Sequence, residues 1–126
     1  MESIVIKEAS RFFIERQNYE MPLLTKSDYL SRLSALIERM NADSITHVII
    51  YGDREHFSNI EYFTGYDCRF EESLLIVDCE GKTTIVVGNE GYSYSLLIPI
   101  DIKRTVYQNF RLQGQSRDRS PTLERI

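Results

Sequence analysis

The chain has 126 residues, 42% of them apolar and 27% charged, with a net charge of −4; this is the composition of one globular domain long enough to bury a core, and it excludes a wholly disordered chain or a disulfide-stapled miniprotein. Residues 1–102 hold 9 basic against 17 acidic side chains, while residues 103–126 hold 6 against 2, so the body repels nucleic acid and the basic end reads as a solvated linker. No run of about eighteen apolar residues occurs and Glu2, Lys7, Glu8, Arg11 and Glu15 interrupt the start, so no membrane span or secretory signal is expected, and Cys68 and Cys79 fit free thiols in the cytoplasm.

In residues 3–16, Val5, Ala9, Phe12 and Phe13 recur at helical spacing and predict an amphipathic arm, packed on its own domain or docked on a partner subunit. Residues 1–25, with Pro22, make up this arm and its connection. A second helix starts at Thr25 as N-cap with Asp28 in its first turn. Leu30, Leu33, Leu36, Ile37 and Met40 mark its core face, and Ser31, Arg32, Ser34, Glu38 and Arg39 its wet face.

Residues 45–51 form a β-branched run, too apolar for an exposed strand, and are expected to be a central strand. Residues 54–62 predict a helical turn or two, stopped by Thr64-Gly65. Residues 74–78 and 83–87 read as a β-hairpin whose Gly81 takes a positive φ. A short helix over 89–97 and a strand over 102–107 complete a mixed sheet of at least four strands. Residues 111–120 are polar, and Ser120-Pro121 begins a helix of only six residues before Ile126. So short a helix is unstable alone, and the natural polypeptide is expected to continue.

The chemistry-bearing residues form no complete active site by spacing. His47 and His56 sit in no metal-binding pattern, and His47, on the strand face of Ile45 and Ile49, reads as a core or sheet-edge residue. Glu71 and Glu72 point to opposite faces of an extended chain and read as a solvated loop. Gly88-Asn89-Glu90-Gly91 is a turn into a helix whose backbone donors can cradle an anion, without a phosphate-loop motif. The segment of residues 58–66 places Ile60, Tyr62, Phe63 and Tyr66 around a Thr-Gly break directly after a strand, where open α/β sheets build ligand clefts.

Helix 29–40, strand 46–51, the string Asn59-Ile60-Glu61-Tyr62-Phe63-Thr64-Gly65-Tyr66, the hairpin and the Asn89-Glu90-Gly91 helix start follow one another in an order that resembles the N-terminal domain of the creatinase, prolidase and Xaa-Pro aminopeptidase family, the pita-bread metallopeptidases. The resemblance covers about residues 26–107. It implies a ribonuclease-H-like α/β domain, a mixed sheet flanked by helices, over residues 26–110, with residues 111–126 leading onward. It further implies a C-terminal catalytic domain of the same polypeptide that holds two divalent metal ions, a homodimer, and a peptide or small amidino or amino-acid substrate, with no catalytic residue or metal ligand in this chain. In relatives the loop after the Thr-Gly motif contacts substrate. Carried onto this sequence, Arg69 pairs with a substrate carboxylate, Phe70 walls the pocket and Tyr66 opens the loop; an ordinary surface charge is the other reading of Arg69.

Two alternatives stand beside that reading. One is a peptide- or protein-binding module of the same fold without an enzyme, like the peptidase-like domain of a histone chaperone. The other is a small stand-alone enzyme using Glu71, Glu72 and His56.

Overall fold

A computed structural model describes residues 23–110; most of the expected arm, residues 1–22, and all of residues 111–126 lie outside the described part. Helix α1 (Lys26–Ala42) starts at Thr25, whose backbone N–H and hydroxyl both donate to Asp28 Oδ2 at 2.7 Å. The Thr25 hydroxyl and then its N–H hold the Asp28 carboxyl below its ordinary range, so the end of the helix is satisfied by its own first turn.

One face of α1 buries Tyr29, Leu33 and Met40, with Leu36 and Ile37 packed beside them. Leu30, expected on that face, is instead 48% exposed. Tyr29, one position earlier and about 100° round the helix, takes the inward place instead, its ring packed over Gly65.

Strand β1 (His47–Gly52) leads to helix α2 (Ser58–Thr64). Strands β2 (Ser73–Asp78) and β3 (Thr83–Val87) follow as a hairpin, with Gly81 at φ 93° in its turn. The Asp78 carboxylate accepts the N–H groups of Glu80 and Lys82 there, at 3.0 and 2.8 Å. Helix α3 (Gly91–Ser95) then crosses to β4 (Lys103–Val106), which lies parallel to β3. Among the described residues the sheet order is β1-β2-β3-β4, with the first two pairings antiparallel. This is a mixed α/β fold, as the sequence predicts.

Among the described residues the run at residues 45–51 supplies an edge strand, not a central one: β1 neighbours β2 alone. Val48 and Ile50 pack on the core, but Ile49 is 64% and Tyr51 47% exposed on the opposite face. Alternate residues of a strand face opposite ways, so an apolar run shows that one face is buried and leaves the second face open. The central position belongs to β2 and β3, and all five residues of β3 are buried. Ile60 joins Leu75, Val77 and Ile85 in the core, each buried branched side chain contributing about 1.5–3 kcal/mol of transfer free energy.

The Thr-Gly break has a local cause. Thr64, fully buried, donates its hydroxyl to Ile60 O at 2.7 Å and accepts the Tyr66 N–H at 3.1 Å. Gly65 takes φ 73° and donates to Glu61 O at 2.7 Å, which closes α2 with a left-handed residue that a side chain would strain. The chain therefore leaves α2 in a fixed direction, and Tyr66 begins the next loop. No helix among the described residues is long and apolar enough to cross a membrane.

Candidate functional site

The loop that leaves Gly65 runs beside α3, and the two enclose a cleft of about 230 Å³. Gly65, Tyr66, Asp67 and Arg69 form one wall, and Tyr94, Leu97 and Ile98 the other. Of the three residues assigned to substrate by sequence, Tyr66 and Arg69 line this cleft. Phe70 stands outside the lining and reaches it through Tyr94, with ring centroids 5.6 Å apart.

The Arg69 guanidinium is exposed and donates through Nε and Nη2 to Asp67 Oδ2 at 3.1 and 3.0 Å. An exposed pair of this kind contributes at most about 1 kcal/mol, so a ligand carboxylate can replace Asp67 at little cost. Tyr66 is buried, and burial, with Cys68, Glu71 and Asp67 nearby, raises its pKa and keeps the phenol neutral. Burial likewise pushes the Cys68 thiol up to about 12, which removes it as a nucleophile near neutrality. The cleft thus offers a guanidinium, the Tyr66 ring and apolar walls, with Leu97 79% exposed among its lining residues. Such a set can hold a small carboxylate beside an apolar group.

Glu71 departs from the sequence expectation. Glu72 is exposed and accepts the Tyr51 hydroxyl at 2.9 Å, so the two side chains do face opposite ways. Glu71, however, is only 6% exposed rather than part of a solvated loop. Its Oε1 accepts the Glu90 N–H at 2.9 Å and its Oε2 the Gly91 N–H at 2.8 Å. The Gly88-Asn89-Glu90-Gly91 turn does cradle an anion, and the anion is a carboxylate of the same chain. Burial first, then contact with the Glu90 carboxyl, pushes Glu71 up to about 7 against the pull of those two amides. Spacing gave the donors but not their occupant, because residues 71 and 90 are separated in sequence by the whole hairpin.

A second cleft of about 410 Å³ lies between the start of α1 and α2, lined among others by Leu24, Tyr29, Arg32 and Tyr62. Arg32 is already committed there, 4.2 Å over the Tyr62 ring and donating to Tyr62 O at 2.7 Å. His47 is exposed on the outer face of β1. His56 pairs with Asp53 at 3.1 Å. The structure therefore places Glu71, Glu72 and His56 in three different contacts. Among the described residues no three His, Cys, Asp or Glu side chains gather as a cation site requires.

No protein-family model matches the chain, and no curated protein matches it. Among solved structures the chain is similar to the crystal structure of the N-terminal, creatinase/prolidase-like domain of a candidate metallopeptidase from Corynebacterium diphtheriae, with a TM-score of 0.54 and 20% identity over 64% of this chain. The chain spans 60% of the length of that neighbour. The likeness establishes the fold, that of a creatinase N-terminal-like α/β domain.

Proposed function

We propose that this chain is the non-catalytic N-terminal domain of a metallopeptidase-type hydrolase of the creatinase and prolidase kind. In this reading the Tyr66–Arg69 cleft admits and orients a substrate carboxylate over a catalytic domain of the same polypeptide. That second domain supplies the two divalent metal ions and the hydrolytic chemistry. This chain supplies a positively charged contact, an apolar wall and contacts between two copies in a homodimer. The substrate is a peptide with a free carboxylate, an Xaa-Pro peptide being the leading case, or a small amidino or amino acid, and the setting is cytoplasmic.

The observation that carries this reading is the position of Arg69: a guanidinium paired, among the described residues, with a neighbouring surface carboxylate and lining a largely apolar cleft, on a fold like that of a metallopeptidase N-terminal domain. The test is the coding frame downstream of the Ile126 codon in the source genome. Two Asp, one His and two Glu in the order of the pita-bread enzymes are expected within roughly 250 codons. A frame that stops, or that runs on without those five ligands, overturns the proposal in favour of a peptide-binding module of the same fold.

A further inference from the structure

Besides the Phe70–Tyr94 ring contact and the approach of Tyr66 to Gly91, the two walls of the cleft are joined through hydrogen bonds to the Glu71 side chain. The loop wall ends two residues beyond Arg69 at Glu71, and the Glu71 carboxylate grips two amides at the entry to α3, that of the N-cap Glu90 at 2.9 Å and that of Gly91 at 2.8 Å. The other wall, Tyr94, Leu97 and Ile98, belongs to the same short segment that those amides begin. The fit around the carboxylate is close. A Cβ on Gly88 would collide with the Glu71 carboxyl, and one on Gly91 with Tyr66 Oη and Glu71 Oε2.

The groups facing Glu71 are acidic. The Glu90 carboxyl touches it from the start of α3. Tyr66 lies over Gly91 from the loop side, with Asp67 and Cys68 next to it in sequence. Glu71 is buried and Glu90 half-buried; two carboxyl groups in contact and partly withdrawn from water share one proton favourably, and fully ionised they repel each other where solvent screens the charge only in part.

We propose that Glu71 and Glu90 form a one-proton clasp that sets the width of the cleft. While the pair keeps its proton, Glu71 holds the two amides and the Tyr66–Arg69 loop lies against α3. When the proton leaves to solvent, the second negative charge expels Glu71 from the amides. The loop then separates from α3 and the cleft opens. The clasp goes beyond the proposed role of the domain and uses residues of this chain alone, so its test does not depend on a catalytic domain being found.

The experiment is a pH titration of the full ¹⁵N-labelled chain by NMR, between about pH 5 and 9. The amides of Glu90 and Gly91 are expected to shift with a single midpoint at about 7. The Arg69 Nε–H and the Tyr94 amide should follow the same midpoint, and hydrogen-exchange protection of the two α3 amides should fall by about tenfold across it. Glu90→Gln removes the second charge and should lower the midpoint by about one unit or more, leaving the clasp closed at neutral pH. Glu71→Gln, which removes the titrating carboxyl and leaves one oxygen to accept from the two amides, should abolish the transition. A midpoint at the ordinary carboxylate value, an unchanged midpoint in Glu90→Gln, or α3 amides that titrate without Arg69 and Tyr94 would each overturn the proposal. If Glu71→Gln does not fold, the wild-type chain and Glu90→Gln decide it, since both keep the carboxylate that holds the amides.

Discussion

A buried carboxyl whose proton is held more tightly in the folded than in the unfolded chain ties stability to pH in a definite direction. The Glu71 pKa rises from 4.5 to about 7, first through burial and then through Glu90. Its contribution is therefore complete below about 4.5 and is lost as pH rises through about 7. Asp28 and Asp53 act in the opposite sense: hydrogen bonds from Thr25, and from the N–H groups of Glu55 and His56, lower their pKa values. Their contribution is present above 3.8 and lost on acidification below it. Urea denaturation of the chain should accordingly give a higher midpoint at about pH 5.5 than at about pH 8, with a slope of at most about 1.4 kcal/mol per pH unit between. Glu71→Gln should remove that difference. Thr64 poses a second question of the same size. Its hydroxyl serves both Ile60 O and the Tyr66 N–H while fully buried, so Thr64→Val keeps the shape and strands both partners. A loss of about 1–3 kcal/mol in the same urea experiment is expected.

At the scale of elements, the sheet distinguishes residues that composition treats alike. Ile85 on β3 is fully buried between strands on both sides, whereas Ile49 on β1 stands 64% exposed on an edge. Ile85→Ala should cost about 2–5 kcal/mol and Ile49→Ala under about 1 kcal/mol, both read as changes in urea midpoint at constant slope. Equal losses would place β1 inside the sheet after all. Much of the element list was legible in the sequence: α1 with its Thr25–Asp28 start, the hairpin with its positive-φ Gly81, and the α2 stop at Thr64-Gly65 each rest on contacts within a few residues. Two features were not legible. The choice of Tyr29 over Leu30 as the inward residue depends on Gly65, which lies far along the chain and leaves room for a ring. The edge position of β1 depends on which strand β4 joins, and β4 pairs with β3 through a crossover that no local pattern specifies.

For the whole molecule, the cleft is the feature through which sequence and function meet. On the proposed reading, in which Arg69 anchors a substrate carboxylate for an attached catalytic domain, Arg69→Ala in that enzyme should raise KM by about tenfold or more with kcat little changed, since a lost charge-assisted hydrogen bond costs about 1.5–3 kcal/mol. Arg69→Lys should recover part of the loss, and a KM insensitive to both variants would return Arg69 to the role of a surface partner for Asp67. The sequence by itself determined the mixed α/β class, the order of helices and strands, the turn that launches the Tyr66 loop and the amide cradle at residues 88–91. All of these are written in local periodicity, caps and glycine positions. Only the tertiary structure decided that Tyr66 and Arg69 share a cleft while Phe70 stands at its rim, and that the cradle's anion is Glu71. The reason is physical: a strand pairing brings together residues separated by the length of the hairpin, and neither the partner of a buried charge nor its proton affinity exists until that pairing has removed the water around it.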